Sequence, residues 1–435
     1  MGLVEPPDAC RRREDRLNRG HWLLLLVLAS VQFCHVLDFI IMVPLGPALE
    51  RSLRVDTRQF GLLVSSYGFT ACVTALLMSR WVDRFDRKRS LLLLFGGFMV
   101  GTFLCAVAPG YWALLAGRVI AGGFGGVIGA AVLTIVGDAF PPARRATATG
   151  AVMSAFSVAS IAGVPTGLFL AEWSTLGWRA PFAALTVLSA VLFALAVLAI
   201  PPIRGHLGGA NRPLPFLDVL SRPAHLRAYA LMFALVCSTF AMMPYLPKFL
   251  IDNVGVRPGH LQLMYLVGGV AALVSMNVVG RLADRYARLL VFRIFASATL
   301  VPLLLLSLLP RGTPPALVLL ITTLLFVLSS ARMVPAMAMV TSTAAPAYRG
   351  GFMSVNAAVQ LFGTGVAPVL ASCLMPDARP GEPLVGYPMV AAVCVAIGLL
   401  AVHLGGLIRS APPNDAPAEI CDMGMTVESA AAESR

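Results

Sequence analysis

The chain has 435 residues, of which 58% are apolar and only 12% are charged, and its net charge is +12. A soluble protein carries about a quarter charged residues, so this chain has too few charges to cover a surface in water. The basic residues lie in short segments between apolar runs and not in one aromatic-rich patch, which excludes a nucleic-acid partner. No Gly-Lys-Ser/Thr sequence is present, which excludes a P-loop for ATP.

Twelve apolar stretches are long enough to cross a bilayer as helices. In chain order they are 22–46, 59–79, 90–108, 113–136, 150–171, 181–201, 229–251, 260–280, 289–309, 315–340, 351–374 and 385–408. We therefore predict an all-α integral membrane protein with twelve transmembrane helices.

One long polar segment, 202–228, divides these helices into two groups of six. The predicted organisation is a basic N-terminal tail (1–21), a first six-helix bundle (22–201), the linker, a second bundle (229–408) and a disordered acidic tail (409–435). The first apolar stretch is too long for a cleaved signal and no small-residue cleavage site follows it. Helix 1 is therefore expected to remain as an anchor.

Basic residues in short loops predict the orientation. Well over half of the 33 Lys and Arg residues lie in the N-terminal tail or in the loops on the side of the chain ends. Both termini are therefore predicted to be cytoplasmic, with the protein in the inner (plasma) membrane.

Short motifs recur about half a chain apart. The pair Asp83-Arg84 follows helix 2, and Asp284-Arg285 follows helix 8. The pair Met153-Ser154 recurs as Met353-Ser354, at a spacing of 200 residues. Transporters are often built from such repeats, and a repeat unit of six helices accounts for both spacings.

These motifs resemble those of the major facilitator superfamily, in particular its twelve-helix drug:proton antiporter group. The loop signature G-x-L-A-D-R-x-G-R-K matches after helix 2 and again after helix 8, although Ser79 and Asp86 replace glycine. Helix 4 carries Arg118 before a Gly-rich run. The resemblance implies two six-helix bundles that move a small molecule, with protons as partners and without a cofactor. We expect a monomer in the lipid bilayer.

Ionisable residues inside spanning helices are costly and mark functional sites. Asp38 lies about 12 Å deep in helix 1, and Arg118 about 10 Å deep in helix 4, at 1.5 Å per residue. The resemblance places both helices around the central cavity, so the two side chains are candidates for proton coupling; the alternative is a static ion pair. Gln32, His35 and Asp38 share one face of helix 1. His35 is either a proton relay or a hydrogen-bonded packing residue.

Arg332, in the inner half of helix 10, is a candidate for binding an anionic substrate group or closing an inner gate. The alternative is a cation that binds carbonyl groups at a helix end. Further candidates for the substrate cavity are Gln32, Phe240, Met243, Tyr245, Tyr265, Asn277, Asn356 and Gln360. We set Lys248 and Arg293 aside as side chains near helix ends that reach water.

The resemblance also implies a gating cluster in the loops on the side of the chain ends. Its members here are Asp83, Arg84, Arg87, Asp138, Asp284 and Arg285. Pro165 and Pro368 are predicted to kink helices 5 and 11. Gly163 and Gly167 flank the first of these prolines, in a pattern that resembles loosely the antiporter motif of helix 5.

We therefore interpret the chain as a secondary transporter, without catalytic residues or a metal site, that exports small amphipathic molecules in exchange for protons. One alternative is a proton-coupled importer of a sugar or organic acid. A second is a protein that moves lipids or lysophospholipids. A membrane enzyme or sensor is a remote alternative, because the sequence has no HExxH or GxSxG motif.

Overall fold

The computed structural model describes residues 19–78, 85–203, 221–345, 348–376 and 378–408. Within these residues, twelve helices are long and apolar enough to cross a membrane. The predicted number of spanning helices is therefore confirmed. The N-terminal tail, most of the linker and the C-terminal tail lie outside the described residues.

The first six spanning helices form the N-terminal half. They are α1 (Arg19–Ile41), α2 (Thr57–Met78), α3 (Arg87–Val107), α4 (Tyr111–Ala139), α5 (Pro142–Val158 and Val164–Trp173, joined by the π turn Ala159–Gly163) and α6 (Ala180–Ala199). A short helix, Gly46–Leu53, lies between α1 and α2.

The C-terminal half repeats this arrangement. Its helices are α7 (Pro223–Phe240, continued by short turns to Val254), α8 (Pro258–Arg285), α9 (Arg288–Ser307), α10 (Pro315–Thr343), α11 (Arg349–Leu374) and α12 (Tyr387–Gly406). Successive helices alternate in direction. The start of α1 and the end of α12 therefore share one face, here named the chain-end face, and the short helix Gly46–Leu53 lies on the opposite, far face.

Several predicted boundaries differ from the structure, among them the start of helix 5, which lies at Pro142 and not at residue 150. Helix 1 ends at Ile41 and not at residue 46, because Pro44 and Pro47 cannot donate the backbone hydrogen bonds that a continuous helix needs. The chain turns there and begins the short helix. Helix 7 begins at Pro223, a residue that is well tolerated in the first turn of a helix.

Glycines on α4 let α2 pack closely against it. A Cβ atom on Gly122 would lie 2.6 Å from the backbone of Tyr67, and one on Gly126 would lie 2.3 Å from the side chain of Ala71. In a membrane, helices associate through such van der Waals contact because lipid supplies no hydrophobic drive between them. These glycines therefore allow the close contact between α2 and α4 that stabilises the N-terminal half.

The two halves meet where α2 crosses α11. A Cβ atom on Gly68 of α2 would lie 2.6 Å from the backbone nitrogen of Gly365 on α11. Nearer the far face, the Thr57 hydroxyl donates to the carbonyl of Ala378 at 3.3 Å. These contacts extend from the middle of α2 to the far face, so they close the far side of the molecule.

Both predicted kink regions carry irregular features. In α5 a π turn precedes Pro165, and a Cβ atom on Gly163 would lie 2.8 Å from the Leu37 side chain of α1. A Cβ atom on Gly167 would likewise lie 2.7 Å from Ile41. Pro368 lies inside α11, where its carbonyl accepts the Tyr245 hydroxyl of α7 at 2.7 Å.

We expect Gly68→Ala to open the far side. The new methyl group would meet backbone atoms that cannot rotate away, and such overpacking costs about 1–3 kcal/mol. Pulsed EPR on spin labels at the exposed neighbours Arg58→Cys and Arg379→Cys, in a cysteine-free background, should show a shift from short to longer distances.

The control for this experiment is Gly137→Ala on α4, where a Cβ atom would meet nothing within 4 Å. Alanine also favours a helix more than glycine does, so this variant should keep the short distance. An unchanged distance distribution in Gly68→Ala would contradict the role of the α2–α11 crossing.

Candidate functional site: a buried ion pair and a buried arginine

Asp38 and Arg118 form an ion pair inside the N-terminal half. The Arg118 Nη1 donates to Asp38 Oδ2 at 2.8 Å and also to the backbone carbonyl of Asp38 at 3.2 Å. Both side chains are almost completely buried. Neither charge therefore faces lipid. The two residues lie 80 positions apart in sequence and meet in the structure.

Neighbouring helices hold this pair in place. The Thr102 hydroxyl of α3 contacts the second carboxylate oxygen of Asp38 at 3.3 Å. The Arg118 guanidinium lies over the ring of Tyr67 on α2, with its carbon 4.7 Å from the ring centroid. Four helices, α1 to α4, therefore meet at one charged point.

A polar stripe extends along α1 from Asp38 toward the chain-end face. His35 and Gln32 both lie next to Gly129 of α4, within about 3.6 Å of a Cβ atom built there. Among the described residues, both ring nitrogens of His35 and the amide oxygen of Gln32 are buried without a hydrogen-bond partner. The stripe therefore places polar atoms with unused hydrogen-bonding capacity on the same helix face as Asp38.

Arg332 is a fully buried arginine in the C-terminal half. Its Nη2 donates to the Leu235 carbonyl at 3.1 Å, to Ser238 Oγ at 2.9 Å and to Thr239 Oγ1 at 2.5 Å, all on α7. These acceptors are neutral. Within the described part of the chain, its Nε and Nη1 atoms have no hydrogen-bond partner.

The other predicted cavity residues are spread over the C-terminal half. Phe240 contacts Phe39 of the N-terminal half, with ring centroids 5.9 Å apart. Met243 lines a small cavity beside α10, and Tyr245 is bound to α11 as described above. Tyr265 packs against Phe326 at 5.7 Å.

Three predicted amides lie on α8 and α11. Asn356 is buried, Gln360 donates to the Asn356 carbonyl at 3.4 Å, and Asn277 is exposed on α8. The structure therefore does not bring all the predicted cavity residues to one point.

The predicted gating residues are only partly described. Arg87 Nε binds Asp138 Oδ2 at 3.0 Å at the chain-end face, and this pair joins α3 to α4. Asp284 and Arg285 are exposed at the end of α8. Asp83 and Arg84 lie outside the described residues.

A second buried ion pair joins the two halves at the far face. Lys248 Nζ of α7 contacts Glu50 Oε2 of the short helix at 2.5 Å, and both side chains are 2% exposed. Lys248 also donates to the Arg379 carbonyl at 3.2 Å and lies 3.8 Å from Asp252. The prediction that Lys248 reaches water is therefore wrong, because the two halves cover its ammonium group.

Burial raises the pKa of Glu50 to about 7, and the attraction of Lys248 opposes this rise only in part. Asp252 raises the pKa of Glu50 further, whereas Arg51 lowers it. Sequence reasoning missed this pair because Glu50 lies outside the apolar stretches. The sequence did carry a signal, because Glu50 is an acid in a short segment that begins at Pro44 and Pro47.

The chain is similar in sequence to known proteins of one family. The model of the Major Facilitator Superfamily matches residues 28–368. A chloramphenicol efflux pump of Mycobacterium tuberculosis is 30% identical over 271 residues, which cover 61% of this chain and 63% of that protein. The inner membrane transport protein YdhP of Escherichia coli is 28% identical over 251 residues, 56% of this chain and 62% of that protein. Each match therefore spans less than two thirds of the relative.

Solved structures agree on the fold. A bacterial homologue of the human lysosomal transporter Spinster, in an inward-facing and occupied conformation, superposes with a TM-score of 0.70 at 15% identity, covering 90% of this chain and 97% of that one. The nucleoside transporter NupG gives a TM-score of 0.69 at 16% identity, covering 89% and 99%.

The twelve spanning helices, their six-plus-six arrangement and the family match over most of the chain agree with one another. They identify a multi-pass protein of the plasma membrane. This chain belongs to the Major Facilitator Superfamily.

Proposed function

We propose that this protein exports small amphipathic molecules in exchange for protons. The observation that carries the proposal is the sealed Asp38–Arg118 pair within the membrane-spanning bundle. The names of the relatives, a chloramphenicol efflux pump and a probable sugar efflux transporter of Helicobacter pylori, support export.

The Asp38–Arg118 pair can couple the binding of a proton to a change in helix contacts. A carboxylate next to an arginine stays charged, whereas a carboxylate left alone in an apolar site takes up a proton. Separation of Asp38 from Arg118 would therefore bind a proton, and their contact would release it. A proton that moves inward contributes about 2.3 kcal/mol per 100 mV of membrane potential.

Alternating access requires contacts that form on one face at a time. The Glu50–Lys248 pair and the α2–α11 crossing join the two halves at the far face. The charge distribution of the loops supports a far face outside the cell and a chain-end face in the cytoplasm. In this arrangement the described contacts close the exit, and their release would open it.

We expect Asp38→Asn to abolish proton movement driven by substrate. Asparagine keeps the shape of the side chain but cannot carry the proton. In proteoliposomes with an internal pH dye, chloramphenicol added as the probe should cause proton flux with the wild type, and at least about tenfold less with the variant, as expected for a residue that moves the proton itself.

Asp38→Asn also leaves Arg118 buried without its counter-ion, which costs about 3–5 kcal/mol. The double variant Asp38→Asn with Arg118→Gln should recover thermal stability and still lack proton flux. Glu382→Gln, at an exposed acid in the loop before α12, is the matched control and should behave as the wild type. Unchanged flux in Asp38→Asn would remove Asp38 from the mechanism.

We expect acid to favour far-side closure through Glu50. In the closed form burial raises the pKa of Glu50 to about 7 from the ordinary value of 4.5. The closed form therefore binds more protons between these two values, and closure strengthens as pH falls. EPR distances between labels at Arg58→Cys and Arg379→Cys should shorten on average from pH 8 to pH 5.

Glu50→Gln should flatten this pH dependence, because glutamine does not titrate. Lys248, Asp252 and Arg51 remain in that variant, so any dependence that they cause would persist. Glu382→Gln, an exposed acid in the loop before α12, should leave the dependence intact. A Glu50→Gln profile that matches the wild type would show that Glu50 does not set the pH response.

A further inference from the structure

The Arg332 guanidinium lacks a counter-ion in the described part of the chain. It is 1% exposed, and the groups that accept its hydrogen bonds are a carbonyl and two hydroxyls. A buried cation with neutral partners is costly in a membrane. Arginine cannot escape this cost by losing its proton, so the site is suited to an anion.

The sequence repeat shows where the counter-ion is missing. Met153-Ser154 and Met353-Ser354 are 200 residues apart, and the same spacing relates Asp38 to Ser238. In the N-terminal half, Arg118 of α4 binds Asp38 of α1; in the C-terminal half, Arg332 of α10 binds Ser238 of α7. The 200-residue spacing therefore places a neutral serine where the first half has a carboxylate, although the two arginines, which lie 214 residues apart, do not share that spacing.

A small cavity lies next to these groups. Thr239, which accepts a hydrogen bond from Arg332, and Ser329, one turn before Arg332 on α10, both line it. Its volume is about 10 Å³, which is room for about one water-sized group. The Ser329 hydroxyl is buried and has no partner among the described residues. Hydroxyl and guanidinium groups are donors to anions.

We propose that the guanidinium of Arg332, together with Ser238 and with the cavity residues Thr239 and Ser329, binds a small anionic group. The group is either a free anion such as chloride or, when the cavity opens wider than in this structure, the carboxylate of an amphipathic molecule. The second source depends on the transport function proposed above, whereas anion binding itself does not. A binding assay therefore separates failure of this proposal from failure of proton coupling.

The test measures thermal unfolding of the purified full-length protein at constant ionic strength, with gluconate as the background anion. The probes are chloride, benzoate and the neutral analogue benzamide. We expect benzoate or chloride to raise the unfolding midpoint by about 2 °C or more at saturating concentration, and benzamide to leave it unchanged. An equal effect of chloride and benzoate identifies a free-anion site; a larger effect of benzoate identifies a site for an amphipathic carboxylate.

Ser238→Asp is the decisive variant, because it supplies the carboxylate that the repeat lacks. It should raise the midpoint without added anion and abolish the effect of chloride and benzoate. Arg332→Gln should also abolish the effect. Arg293→Gln, at an exposed arginine of α9, is the control and should retain it. No anion effect in the wild type, or an effect that persists in Ser238→Asp, would overturn the proposal.

Discussion

A charge enclosed in a helical bundle within lipid has to be matched inside the protein, since no water is available to solvate it. This requirement shapes both halves of the molecule. Asp38 matches Arg118 within the N-terminal half, and Glu50 matches Lys248 between the halves. The first pair depends only on the packing of one bundle. The second exists only while the two bundles touch at the far face, so its partners must be solvated when they separate.

Close contacts between helices allow the two bundles to separate while the helices inside each bundle keep their arrangement. The glycines of α4 fix α2 within its own half, whereas Gly68 and Gly365 let the same α2 helix touch α11 of the other half. One helix therefore carries both a permanent and a breakable interface. Packed interfaces of this kind switch between discrete arrangements and do not deform continuously.

Hydropathy alone predicted the number of helices, because each has to span about 30 Å of hydrocarbon. The Asp38–Arg118 pair was also predictable, since both residues are rare charges at similar depth in neighbouring helices. The Glu50–Lys248 pair was not. Its partners lie 198 positions apart, and their contact depends on how two bundles dock. The neutral partners of Arg332 depended in the same way on the rotation of α7 against α10.

The repeat gives the two halves a common geometry and different chemistry. Glu50 follows Asp38 on the first helical hairpin, and Lys248 follows Ser238 on α7, at nearly the same spacing. Each half therefore carries an inner polar position and a far-face position on one connected segment. A tilt of α1 or of α7 moves its inner position, and in the first half the turn between Ile41 and Gly46 separates the far-face position from the tilting helix. Because the inner position is a carboxylate in one half and a hydroxyl in the other, the same tilt would expose a proton-binding group in the first half and an unmatched cation in the second.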